Sequence, residues 1–141
     1  MALMGGGISL DALADLVGTP GSTTSAEKLT QNYLAGEIIS ALRVVYASAT
    51  DTVMYGDNTA LNTARVIGVA LNSAALGGSV SVQLFGKIED PFFTYNVNEP
   101  LYLGASGAIT NTAPTSGYRT PIGKGLGNGA IFVSIEGTIV L

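Results

Sequence analysis

The 141-residue sequence contains no cysteine and no histidine, and only 11% of its residues are charged. Without cysteine there is no disulfide framework and no thiolate metal site. Without histidine the commonest side chain for proton transfer and metal binding near neutral pH is missing. These absences weigh against an enzyme, and no cofactor or metal is expected. The charged fraction falls well below the roughly 25% of typical soluble domains. The six basic residues Lys28, Arg43, Arg65, Lys87, Arg119 and Lys124 are dispersed, whereas a nucleic-acid footprint needs them clustered, so no nucleic acid is expected as partner. No apolar run reaches the ~18 residues that span a bilayer. The best stretch, 66–82, is interrupted by Asn72, Ser73 and Gly77-Gly78, so no membrane partner is expected. The N-terminus lacks a basic n-region and places Asp11 and Asp15 where a signal peptide is apolar. The chain is therefore expected to stay where it is made or to travel inside an assembly. A monomer with so little charge is poorly protected against self-association, and much of its surface is expected to face other protein.

Glycine is abundant, and the length fits one domain that buries roughly two thirds of its unfolded surface. The most informative feature is an internal repeat. The segment VIGVALNSAALGGSVSVQLFGKI (66–88) returns in shortened form as PIGKGLGNGAIFVSIEGTI (121–139). Each copy opens on Ile-Gly, at Ile67-Gly68 and Ile122-Gly123. Each closes on alternating apolar residues that run into a glycine: Val80, Val82 and Leu84 before Gly86, and Ile131, Val133 and Ile135 before Gly137. Upstream, VVYASATDTVMY (44–55) stands before its Ile-Gly about as LYLGASGAIT (101–110) stands before the other.

The chain divides near Gly36. Residues 1–36 read as an N-terminal arm with short helical segments. Ser9 caps a helix over 10–17 with Leu10, Leu13, Leu16 and Val17 on one stripe, and GTPGSTTS (18–25) reads as a linker. Thr24 and Glu27 have capping-box spacing for a second helix over 25–34, with Gly36 at its end. From Glu37 onward the period is two, with Ile38, Leu42, Val44 and Tyr46 on one face. Further strands are expected at 52–55, 65–71, 79–88, 100–103, 107–110, 119–126 and 130–140, separated by turns at 55–58, 77–78, 105–107, 112–117 and 127–129. The pattern predicts an all-β domain over 37–141, a small barrel or sandwich built from two similar meanders, 43–88 and 100–139. Gly68, Gly123, Gly86 and Gly137 are expected at the bulges and corners that such closure needs.

No catalytic constellation stands out. GKGLGNG (123–129) fails the P-loop spacing because Lys124 is followed by glycine, and it fails the dinucleotide spacing at Asn128. Glu89-Asp90 is the only adjacent acidic pair and runs into Pro91, which reads as a strand exit. Serines and threonines are plentiful, but no base is available to activate one. The aromatic residues Phe92, Phe93, Tyr95 and Tyr102 gather at the junction between the copies. They read either as a core plug or, through Phe93, Tyr95 and Tyr102, as a surface for a sugar or a partner.

In order, the Ile-Gly strand followed by small residues, the LYLG-x-x-G-x-IT hairpin, APTSG and the closing IFV strand resemble a β-rich module of tailed-bacteriophage virion proteins. That module occurs in capsid decoration (cement) proteins and in the distal parts of some tail or head fibres. The resemblance covers 37–141. It implies a structural protein on the outer surface of the virion, made in the host cytoplasm, that binds the major capsid protein and forms a homotrimer. Leu10, Leu13, Leu16 and Val17 would then dock on the shell. Fibres of that kind carry long repetitive segments ahead of the module, and this sequence shows none, so decoration is expected over a fibre or neck attachment role. A carbohydrate-binding receptor module is the alternative of another class.

Overall fold

The computed structural model describes residues 28–141. The stripe Leu10, Leu13, Leu16 and Val17 lies outside the described residues. Eleven strands run in chain order: β1 Lys28–Ala35, β2 Val44–Ala49, β3 Thr52–Tyr55, β4 Gly68–Ala70, β5 Ser79–Glu89, β6 Pro100–Leu103, β7 Ile109–Thr110, β8 Tyr118–Arg119, β9 Pro121–Gly127, β10 Ala130–Ser134 and β11 Ile139–Val140. One helical turn, α1 (Leu61–Ala64), separates β3 from β4, and a 3-10 turn (Ala105–Gly107) separates β6 from β7. The described chain is thus all-β. Nine strands form one sheet in the order β1-β3-β2-β4-β5-β10-β9-β6-β7, and β11 pairs with β8 in a small second sheet.

The repeat in the sequence is a repeat of topology. In the first copy β2, β3, β4 and β5 stand in the spatial order β3-β2-β4-β5; in the second, β6, β7, β9 and β10 stand in the order β7-β6-β9-β10. Each copy therefore sends its second strand outward, returns with its third strand inside the first, and ends with its fourth innermost. The two Ile-Gly motifs occupy matching places on the third strands. An added Cβ at Gly68 would run into the carbonyl of Gln83 on β5, and one at Gly123 into the carbonyl of Phe132 on β10. Both glycines are required because the third strand presses its backbone against the fourth.

Strand β5 has three partners. β1 pairs with it from Lys28↔Gly86 to Leu34↔Ser79. β4 pairs at Val69↔Gln83 and Ala70↔Val82, and β10 from Ser134↔Phe85 to Ala130↔Glu89. Gln83 thus lies beside both Thr30 and Val69, and Phe85 beside both Leu29 and Ser134. Because a strand has two edges, β4 and β10 lie end to end along the edge opposite β1. The consecutive residues Leu29 and Thr30 face Phe85 and Gln83, so Leu84 is an extra residue on β5. Such a bulge reverses which face each later side chain meets.

Two cores result. β1 also pairs in parallel with β3 at Leu34↔Thr52 and Ala35↔Val53, so pairings run in a ring through β1, β5, β4, β2, β3 and back to β1. Ala35, Val45, Val53, Ala70, Val80 and Val82, at least one from each of those strands, form one cluster with Ile39. The second cluster contains Val44 and Val69 from the other face of β2 and β4, with Leu101, Leu103, Ile122, Ile131 and Val133 from the second copy. Ile88 belongs to this second cluster although it is in phase with Val80 and Val82, because the bulge lies between.

Three sequence expectations are corrected. Residues 28–34 are strand, not the C-terminal part of a helix, so the sheet begins eight residues before Gly36. The capping-box pattern is overridden by pairing along β5. The alternation read from Glu37 fails before Val44: Ile38 is 73% exposed and Ile39 is 1% exposed. Ile39 bridges Ala74 by reciprocal backbone hydrogen bonds of 2.9 Å, and Leu42 turns the chain with φ 66°. Val44 and Val45 are both fully buried because β2 stands between the two cores. The long closing strand expected over 130–140 breaks after Ser134, and its tail becomes β11.

Polar ties fasten the two copies. The Asp57 carboxylate accepts from the Thr59 hydroxyl at 2.6 Å, the Thr59 amide at 2.9 Å and the Ser106 amide at 3.0 Å. Arg43 donates to the Ser106 carbonyl at 2.8 Å, and the Gly107 amide to the Gly56 carbonyl at 2.6 Å. Elsewhere the buried Thr120 hydroxyl donates to the Ala64 carbonyl at 2.8 Å. The Thr59 hydroxyl first, opposed by desolvation and helped by the amides of Ser106 and Thr59, holds Asp57 below its ordinary value of 3.8.

Two predictions follow from this geometry. Gly68→Ala and Gly123→Ala should each cost about 2 kcal/mol or more in urea unfolding, whereas Gly137→Ala should stay within about 0.5 kcal/mol, because an added Cβ there meets nothing. Equal effects at all three sites would contradict the matched roles of the first two. Asp57 has a depressed pKa, so its stabilisation is present above the ordinary value and is lost as pH falls through the folded value. Asp57→Asn should therefore lower Tm at neutral pH, and the gap from the parent should close only below about pH 3.8. A gap that stays constant through the acid range would refute the tie.

Candidate functional site

The second copy turns one face of its sheet inward, with Leu101 and Leu103 of β6, Ile122 of β9 and Ile131 and Val133 of β10 in the core. Alternation then sends Tyr102, Phe132 and Ser134 outward. On β9 the register shifts between Pro121 and Gly123, and after that shift Lys124 and Leu126 face outward. Lys124 lies directly between Phe132 on one side and Pro100 on the other. Val97 and Asn98, from the loop before β6, and Glu136 also line this outer face. Together they bound an open groove of about 780 Å³.

The apolar surface continues beyond the groove. The rings of Phe85 and Phe132 meet edge to face with centroids 5.1 Å apart, and Phe85 pairs across the strand with the exposed Leu29. Phe85 remains 42% exposed, Leu29 55% and Val97 72%. Charge is sparse here: Lys87 pairs with Glu89 at 2.9 Å, both well exposed. The Lys87 ammonium, through its hydrogen bond and its charge, holds Glu89 below the ordinary carboxylate value. A face of this kind binds by area and shape, with few directional groups.

The three aromatic residues singled out from the sequence do not share a surface. Phe93 is 2% exposed and belongs to the second core, so its ring offers no face to a sugar. This supports the core-plug reading for that residue. Tyr95 is partly buried, 6.4 Å from Phe93 by ring centroids, and its hydroxyl donates to the Ile109 carbonyl at 2.9 Å. Burial, and then the charge of Glu99, pushes the Tyr95 hydroxyl above its ordinary value. Only Tyr102 lines the groove. Phe85, Phe132 and Val97, which the sequence reading passed over, supply more of the exposed apolar surface. The outward place of Phe132 was implicit in the inward alternation of Ile131 and Val133. That of Phe85 was equally implicit in the alternation of Val80, Val82 and Leu84.

No group of three or more Asp, Glu, His or Cys residues among the described residues is placed to hold a metal ion. Two smaller hollows, of about 410 and 400 Å³, are lined respectively around Gln83 with Lys28 and Glu89, and around Arg65 with Glu136 and Thr138. Gln83 is itself fastened, its side-chain amide donating to the Lys87 carbonyl at 2.9 Å. No helix among the described residues is long and apolar enough to cross a membrane.

No family model matches the sequence, and no curated protein matches it. Among solved structures, the fold is similar to the N base of the head fiber protein gp8.5 of bacteriophage phi29. The two share 15% identity with a TM-score of 0.48, over 76% of this chain and 94% of that chain. A likeness of that degree carries no weight for function.

Proposed function

We propose that the protein is a non-enzymatic structural component of a tailed-phage virion that works by protein–protein contact. In its finer form the proposal is a capsid decoration protein, a homotrimer that binds the major capsid protein at the outer surface of the head and stiffens the shell. The observation that carries the contact role is the character of the described surface. Twelve large apolar side chains are exposed, and a single ion pair is present among the described residues. Contiguous exposed apolar surface rimmed by polar groups marks interaction sites, and the surface through Leu29, Phe85 and Phe132 has that form. The phage assignment rests on the resemblance of residues 37–141 to the virion module. In this reading each subunit bridges neighbouring shell subunits, and Leu10, Leu13, Leu16 and Val17 add a second grip. A carbohydrate-binding role draws support from Tyr102 standing in a groove with Asn98, Lys124 and Glu136, and a glycan array separates it from cementing.

The test is to add the purified protein to undecorated heads and to tails, sediment both, and measure occupancy and the heat resistance of the heads. Binding to heads with a raised disruption temperature is expected. Binding to tails alone would favour the fibre or attachment role, and binding to neither would overturn the proposal. Leu13→Asp should weaken attachment, since a fully buried leucine contributes about 1.5–3 kcal/mol. Full occupancy by that variant alongside loss of binding by Phe132→Asp would move the grip from the arm to the groove face.

A further inference from the structure

Strand β1 is exposed in a way that the other long strands are not. Residues 28–32 are exposed, and the neighbours Leu29 and Leu34 are 55% and 51% exposed. One edge of β1 is taken by β5 along its length. Among the described residues, the other edge carries a strand only at Leu34 and Ala35, where β3 pairs. The direction of its backbone groups is fixed by two hydrogen bonds. The Ala35 amide donates to Gly78 on the β5 side at 2.8 Å, and the Leu34 amide donates to Asp51 on the opposite side at 2.8 Å. Amides alternate along a strand, so those of Asn32, Thr30 and Lys28 point away from β5, toward the open edge.

Natural edge strands are guarded by charge, proline or a bulge in the edge strand itself. β1, KLTQNYLA, has no proline, its one charge is Lys28, and the extra residue at its bulge belongs to β5. The strand is also compatible with its own sequence. Antiparallel pairing of two copies centred on Thr30 sets Thr30 opposite Thr30, Leu29 opposite Gln31, and Lys28 opposite Asn32. The outward amides of Lys28, Thr30 and Asn32 then fall in hydrogen-bonded positions, and no like charges face one another. The pairing ends before Leu34, whose outward amide is already used.

We propose that the open edge of β1 pairs antiparallel with the same edge of a second copy of this chain. The contact is isologous, so it closes after two copies and does not propagate. It joins the two sheets into one continuous sheet and brings Leu29 and Phe85 of each copy to the joint. It does not depend on the virion reading. Whatever ring the protein forms by other surfaces, this contact joins two such rings or two monomers.

The experiment measures the mass of the full chain by sedimentation across a concentration series. The parent should show an assembly twice the mass of that formed by Thr30→Lys, because the substitution sets two ammonium groups opposite each other at the centre of the joint. The association should weaken by roughly tenfold or more, with the thermal unfolding midpoint nearly unchanged, since Thr30 is exposed. Thr30→Glu should do the same. An equimolar mixture of the two variants should recover the doubled mass, with one copy of each in the pair. Recovery by mixing shows that both variants fold and that the two Thr30 positions meet. Equal masses for parent and Thr30→Lys, or loss of the doubled mass in both variants that mixing does not restore, would overturn the proposal. Those results would leave the edge to residues upstream of Lys28 or to another protein.

Discussion

One extra residue in β5 governs the arrangement of everything else. Were Leu84 paired in register, Val80, Val82 and Ile88 would share a face and the long strand could serve one core. With the bulge, the first half of the strand closes the ring of β1, β3, β2 and β4, and the second half covers the other core. The same register shift leaves Gln83 buried while Phe85 faces outward, onto the apolar face that continues to Phe132. A bulge disrupts one step of a ladder, yet here it allows a single strand of eleven residues to belong to two hydrophobic clusters.

The duplication explains why such a device is needed. Two units with the same strand order each require a fifth strand beside their innermost one. The first unit has β1 beside β5; the second has β5 beside β10. The sharing is economical, because β5 is innermost strand to one unit and covering strand to the other. It also leaves an asymmetry: β5 has neighbours on both edges, whereas β1 has its outer edge open over most of its length among the described residues. The polar ties at Asp57, Ser106 and Thr120 then hold the units in a fixed relation, since each links a loop of one copy to the other.

The outer face of the second unit and the surface around Leu29 and Phe85 share a chemical character. Both expose aliphatic and aromatic side chains with few ion pairs, as the low charged fraction anticipates. Surfaces of that kind gain affinity from buried area, and they suit contacts that form once and persist. Sparse charge gives little electrostatic steering.

The sequence by itself determined the class and the duplication. Alternating apolar residues, turn glycines at 77–78 and 127–129, and the matched Ile-Gly motifs are local signals, and the strands they mark at 52–55, 79–88 and 100–103 are present. The outward places of Phe132 and Phe85 were implicit in the alternation of their apolar neighbours. Tertiary structure alone decided the rest. Residues 28–35 carry a helix-compatible pattern and become a strand because β5 offers them a ladder. Val44 and Val45 defeat alternation because β2 has a core on each side. Phe93 and Tyr102, nine residues apart and both aromatic, separate into core and groove. Residue type gives a preference for burial, but which face is buried depends on a bulge and on partners far along the chain. Long-range pairing fixes those, and no local pattern encodes them.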